Sequence, residues 1–155
     1  MSKSGFEQIL NRDGRLVYSS VGDSMLPMIR QGRDLLVIQK PAGRLKKYDI
    51  PLYRRENGRY VLHRILKVRD RDYVVCGDNR WHCETGITDR HIIGVLTAVI
   101  TDGVEKPLAG WRYGLYVFFW CRLFPLRAMI LRVCSVLKRL GKRGRNKKAK
   151  TNEGA

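Results

Sequence analysis

Three short stretches of this chain carry residue types that could share one reaction: Gly22-Asp23-Ser24-Met25-Leu26-Pro27, Val61-Leu62-His63-Arg64-Ile65 and Gly77-Asp78-Asn79. A serine hydroxyl is a weak nucleophile until a nearby base takes its proton, and the base needs a third group to hold its ring. Ser24, His63 and Asp78 supply those types, 39 and then 15 positions apart. Taken singly, each has an ordinary explanation. Gly, Asp, Ser and Pro form turns, a histidine in an apolar run sits satisfied in a strand, and an aspartate after a strand makes an Asx turn. The three together are far less expected by chance.

Such groups need a scaffold to present them. Short stretches rich in Val, Ile, Leu and Tyr, separated by turn signals, fill roughly the first hundred residues and predict a mainly β fold. Strands are expected at 15–21, 34–39, 50–54, 60–68, 73–76 and 92–101, with a short helix near 6–11. Asn57-Gly58 and Arg69-Asp70-Arg71-Asp72 read as hairpin turns. Ser24 then sits in a turn after the first strand, His63 inside the fourth and Asp78 just past the fifth. Pro51 donates no ladder hydrogen bond, so its strand is expected at a sheet edge or bent.

A chain of 155 residues holds one domain with a core and an extension. The charge divides the same way: residues 1–106 hold 19 Lys/Arg against 13 Asp/Glu, whereas the remainder holds 12 basic groups against Glu153 alone. Pro107 and Gly110 mark the boundary. The expected organisation is a β domain over 1–106, an apolar and basic helical segment over 107–140, and a disordered lysine-rich tail over 141–155. At about 100° per residue, Met129, Ile130, Val133, Cys134, Leu137 and Leu140 share one arc, opposite Arg127, Arg132, Ser135, Lys138 and Arg139. Segment 111–150 is therefore expected on an anionic membrane surface. Packing against the protein's own body or a partner is the next alternative, and a full span by 113–137 the weakest, since twelve large aliphatic and Phe residues at about −0.5 kcal/mol each are cancelled by arginines at about +2.5 each. Aromatics interleaved with basic residues are missing from 138–150, so nucleic acid is not the expected partner.

Cys76, Cys83, Cys121 and Cys134 form no C-x-x-C pair and are expected as reduced thiols. Cys76, His82, Cys83 and His91 can be drawn as four metal ligands, but their spacing matches no common structural site. Neither a metal nor any other cofactor is expected.

Taken in order, Gly22 to Pro27, Gly32-Arg33-Asp34-Leu35-Leu36-Val37-Ile38, Tyr48-Asp49-Ile50-Pro51-Leu52-Tyr53, Val61 to Ile65, Gly77-Asp78-Asn79-Arg80 and Ile92-Ile93-Gly94 resemble the successive boxes of the type I signal peptidases, over roughly 16–101. That resemblance implies coiled antiparallel β-sheets and a serine endopeptidase acting on a peptide or precursor protein. A histidine where the bacterial branch has lysine is similar to the archaeal and endoplasmic-reticulum branch. By that likeness Ser24 attacks the carbonyl, His63 carries the proton and Asp78 orients the imidazole, with Asp89 in Thr88-Asp89-Arg90 as the rival for the third role. The backbone N–H of Ser24 is expected in the oxyanion hole.

The chain begins within about ten residues of the domain, where the family usually carries a membrane anchor. A cytoplasmic peptidase, peripheral on the inner face of the membrane and dedicated to one precursor, is the expected setting. Self-cleaving repressor domains also resemble the Ser-Met-x-Pro box, but Ala42-Gly43, Cys76-Gly77 and Ala109-Gly110 all lie downstream of Ser24. A non-catalytic β domain that binds membrane or nucleic acid through its basic end is the remaining alternative. With His63 at its reference pKa, activity is expected to rise across roughly pH 6 to 7, whereas Lys47 or Lys67 as base would require alkaline pH.

Overall fold

The computed structural model describes residues 5–19, 21–124, 126–130 and 132–133. The chain is mainly β, with short helices. After helix α1 (Gly5–Asp13) come strands β1 (Arg15–Ser19), β2 (Asp34–Gln39), β3 (Pro51–Arg54), β4 (Tyr60–Leu62), β5 (Arg64–Val68), β6 (Tyr73–Cys76), β7 (Glu84–Ile87), β8 (Ile92–Thr101) and β9 (Val104–Pro107). Helix α2 (Gly110–Tyr116) then runs into a π-helical turn over Val117–Arg122.

Every pairing is antiparallel. The larger sheet has the order β1-β2-β8-β3-β4, with β9 added to β8, and the smaller has the order β5-β6-β7. The long strand β8 is the spine: β2 lies along one edge, and β3 and β9 divide the other. Bulges at Val37/Ile38 and Leu52/Tyr53 kink its two neighbours and help curl the sheet. Gly94 permits the closest approach, because a methyl there would lie 2.4 Å from Ile38 Cγ2 and 3.3 Å from Leu10 Cδ1. That missing methyl lets α1 and β2 close over β8.

Two apolar cores result. The first gathers Leu10, Leu16, Met25, Ile29, Leu36, Ile38, Ile50, Leu52, Leu62, Leu96 and Val99; the second gathers Leu45, Tyr53, Ile65, Tyr73, Val75 and Ile87. At about 1.5–3 kcal/mol per fully buried large side chain, each core is a substantial source of stability.

Three sequence expectations need correction. The single strand at 60–68 is two strands broken at His63, because Leu62 is buried in the first core and Ile65 in the second. Strand β3 is internal, between β8 and β4, so the expectation of an edge fails, while that of a bend holds through the bulge at Leu52/Tyr53. Pro51 is tolerated there as the first residue of the strand, where few ladder bonds are lost. Strands β7 and β9 were not anticipated, since Glu84-Thr85-Gly86-Ile87 and Val104-Glu105-Lys106-Pro107 each hold a single buried or aliphatic anchor amid polar residues.

At the C-terminal side, Phe124, 126–130 and 132–133 are helical. Met129, Ile130 and Val133, on the apolar arc, are exposed, while Arg127 from the opposite arc is buried. Its Nη1 donates to the Trp120 carbonyl at 3.1 Å, with the guanidinium over the Phe124 ring. The amphipathic segment thus presents its apolar arc outward. Among the described residues no helix is long and apolar enough to cross a membrane. Cys134, Leu137, Leu140 and the tail at 141–155 lie outside the described residues.

Candidate active site

The Ser24 turn is held from both sides. Met25 and Ile29 are buried in the first core, and Ile29 N–H donates to the Met25 carbonyl at 3.0 Å, closing a tight loop beneath the serine. Gln31 accepts from the Gly22 N–H at 2.7 Å. Asp34 finishes the loop: buried, it accepts from the Arg30 N–H at 2.8 Å, the Arg33 guanidinium at 2.7 Å and the Thr101 hydroxyl at 2.8 Å. Burial alone would raise its pKa, yet these donors hold it down at about 2.

The 77–80 stretch grips the same turn from across the groove. Asn79 donates its N–H to the Ser24 carbonyl at 2.8 Å and its amide to the Asp23 carbonyl at 3.2 Å, while Arg80 pairs with the Asp23 carboxylate. Gly77 is there for space rather than for a left-handed backbone, since its φ is not among the positive ones. A methyl on it would lie 2.6 Å from the Ser24 carbonyl oxygen and 3.2 Å from His63 Nε2. The imidazole edge and the serine backbone therefore converge on one glycine.

His63 stands where the chain leaves the large sheet for the small one, so its ring lies between the two cores. Ser24 and His63 line one groove of about 650 Å³ with Phe6, Tyr18, Tyr60 and Arg80. Ser24 is partly exposed, and its hydroxyl and N–H enter no hydrogen bond among the described residues. The far side of the imidazole is occupied: Tyr53 Oη and Glu84 Oε1 each stand 3.2 Å from His63 Nδ1. Glu84 is in turn gripped by Arg55, whose Nε reaches its Oε2 at 2.8 Å. Burial would raise the Glu84 pKa, but the Arg55 guanidinium holds it below the usual carboxylate range.

Burial pushes the His63 pKa down to about 4; Glu84 pulls it up, and Arg55 and Arg80 oppose that pull. The ring is accordingly neutral through physiological pH. The sequence expectation took the ring at its reference value, and burial moves it well below that.

Neither expected aspartate contacts the imidazole. Asp78 is fully buried and accepts from Arg64 Nε at 2.9 Å, Arg64 Nη2 at 2.7 Å and the Tyr116 hydroxyl at 2.9 Å. Trp120 Nε1 donates to its backbone carbonyl at 3.0 Å, and Arg64 Nη1 reaches the Tyr113 hydroxyl at 2.7 Å. Asp89 begins a 3-10 turn on the far side of the small sheet, where it accepts from the Tyr73 hydroxyl. The strand break sets them apart: His63 lies between β4 and β5 and lines the groove, whereas Arg64, the first residue of β5, is buried and holds Asp78.

Glu84 was missed by the sequence reading. Its surroundings, Trp81-His82-Cys83-Glu84-Thr85, match no motif and carry weak strand character. No sequence signal marks it; only its 3.2 Å approach to His63 Nδ1 does. Cys76, Cys83 and Cys121 are free thiols, and among the described residues no group of three or more His, Cys, Asp or Glu side chains is arranged around a metal position. Comparison with protein-family models, with curated proteins and with solved structures finds no match, so the site is read from its own chemistry.

Proposed function

We propose that this chain is a serine endopeptidase of signal-peptidase-like type, acting on a peptide or precursor protein with Ser24 as nucleophile and His63 as general base. The observation that carries this reading is the groove that a partly exposed serine on a clamped turn shares with a buried neutral histidine, whose Nε2 and the Ser24 carbonyl both crowd Gly77. In the reaction, Ser24 Oγ attacks the scissile carbonyl while His63 Nε2 takes the hydroxyl proton. The tetrahedral oxyanion accepts the uncommitted Ser24 N–H, and the imidazolium then returns the proton to the departing amine. Water repeats the sequence on the acyl-enzyme. The test is labelling by a fluorophosphonate serine reagent. Labelling of wild type that disappears in Ser24→Ala and weakens in His63→Ala supports the peptidase, and equal labelling of wild type and Ser24→Ala sinks it.

A partner surface has its own observation. Trp111 and Phe119 are 75% and 60% exposed, and Leu115 and Phe118 are also exposed, with Arg112 and Arg122 beside them. Aromatic and aliphatic side chains flanked by cations suit the headgroup region of an anionic bilayer. Sedimentation with phosphatidylserine vesicles, lost on deletion of 110–155, supports this contact; unchanged sedimentation of the deleted protein removes it.

A further inference from the structure

The position left vacant by both aspartates is filled by another group. We propose that Glu84, fixed by Arg55 and joined by Tyr53, is the positioning residue for His63, keeping the imidazole proton on Nδ1 and the Nε2 lone pair toward Ser24. This rests on the peptidase reading of Ser24 and His63, and it replaces the expected aspartate with a glutamate from an element that carries no recognisable motif.

The argument starts from geometry. Three elements converge on one ring nitrogen: Tyr53 from β3, Glu84 from the start of β7, and His63 itself at the crossing between sheets. Each of the two partners stands 3.2 Å from Nδ1, while Nε2 points to the opposite side, at Gly77 and the Ser24 backbone. A neutral imidazole has one donor nitrogen and one acceptor nitrogen, so whatever settles Nδ1 also settles Nε2.

Chemistry then selects the tautomer. The Tyr53 hydroxyl can donate or accept, but an ionised carboxylate can only accept. If Tyr53 donated to Nδ1, Nε2 would carry the hydrogen and present a donor to Ser24, unable to take its proton. With Glu84 ionised 3.2 Å from the same nitrogen, its negative charge favours the Nδ1–H form, and the Tyr53 proton turns toward the carboxylate, leaving the phenol oxygen to accept from Nδ1. Arg55 completes the device. A bare carboxylate would hold a proton on the imidazole and leave a poor base; pairing with Arg55 at 2.8 Å lets Glu84 orient the ring without charging it. During attack, the same carboxylate faces the imidazolium as it forms.

The test reads the ring directly and does not depend on a known substrate. Long-range proton–nitrogen spectra of the full chain labelled with 15N-histidine are recorded for Ser24→Ala and for Ser24→Ala combined with Glu84→Gln. Glutamine keeps the size of the side chain and can donate to Nδ1. The expected result is an Nδ1–H tautomer with Glu84 and a shift toward Nε2–H with glutamine. In otherwise wild-type protein, Glu84→Gln is expected to lower kcat about 10³-fold with little change in KM, by analogy with amide replacement of a triad carboxylate. Glu84→Asp, which keeps the charge, is expected to recover part of the loss.

An unchanged His63 tautomer in the Glu84→Gln protein overturns the proposal, whatever the activity. Should the glutamine variant fail to fold, the spectrum of the Ser24→Ala protein decides alone: an Nε2–H tautomer there overturns the proposal, and Nδ1–H supports it. Absence of serine-reagent labelling in wild type, with the tautomer as expected, fails the peptidase reading and leaves the orientation of His63 by Glu84 standing.

Discussion

Two guanidinium–carboxylate pairs flank His63, and they have the same chemistry but different neighbours. Arg64–Asp78 is sealed, with side-chain exposures of 0% and 1%, and its outer contacts are the hydroxyls of Tyr113 and Tyr116 on α2. Arg55–Glu84 is only partly covered, and its contact is the imidazole. The first pair ties α2 to the start of β5; the second reaches the His63 ring. A carboxylate in a recognisable motif is thus no guide to which carboxylate stands beside the histidine, because Arg64 holds Asp78 away from the imidazole.

The sharpest break comes from the nucleophile. Ser24→Ala is expected to lower hydrolysis of a responsive peptide by about 10³-fold or more while leaving the thermal midpoint nearly unchanged, since the hydroxyl makes no hydrogen bond among the described residues. Separating the two pairs requires one variant of each. Asp78→Ala strands the Arg64 guanidinium in the interior and is expected to cost about 3–5 kcal/mol in urea unfolding. Asp78→Asn should leave the His63 tautomer as it is, opposite to the outcome for Glu84→Gln. Loss of the tautomer on Asp78→Asn would restore the aspartate to the role the sequence suggested.

The low pKa of His63 gives a pH prediction with a definite sign. In the unfolded chain the imidazole titrates near 6.5, and in the folded protein near 4. Between those values the unfolded chain binds more protons, so stability is full above about pH 6.5 and falls by about 3 kcal/mol as pH drops to 4. The charges acting on the ring are Glu84, Arg55, Arg80 and, more distantly, Asp78, and this contribution to the slope should vanish in His63→Phe. Activity should fall on the acid side near pH 4, and a limb between pH 6 and 7 would show the ring to be more hydrated than its surroundings imply.

Smaller effects test the clamp and the outer surface. Gly77→Ala places a methyl 2.6 Å from the Ser24 carbonyl oxygen and is expected to cost about 1–3 kcal/mol, with a larger loss of serine labelling than of stability. Phe119→Ser, at an exposed position, should change the unfolding free energy by less than about 0.5 kcal/mol yet weaken vesicle binding. A vesicle affinity unchanged by Phe119→Ser and Trp111→Ser together would move the lipid contact off this face.

Much of the scaffold was legible because local pattern and turn chemistry agree. Strands β2, β6 and β8 were anticipated with the ends they have, and Asn57-Gly58 joins β3 to β4 as a hairpin turn should. Strand β7 was not, since Glu84, Thr85 and Gly86 give no apolar alternation and only Ile87 is buried. The proline that opens β3 predicts an edge or a bend; the strand is internal, since a first residue loses few ladder bonds, and it is bent by the bulge at Leu52/Tyr53. At the site, the clustering of Ser24 with His63 followed from residue types and order, whereas the carboxylate at Nδ1 did not.

The sequence by itself determined a mainly antiparallel β chain, a serine turn, a histidine within an apolar run and a basic, amphipathic C-terminal segment, because each follows from local periodicity and turn preference. The tertiary structure decided which side of the β4–β5 crossing each group occupies and which core each strand fills. It broke the run at His63, buried Asp78 against Arg64, turned the apolar arc of Met129, Ile130 and Val133 outward, and brought Glu84 to the imidazole. Those choices depend on contacts between residues remote in the chain, and no local pattern encodes them.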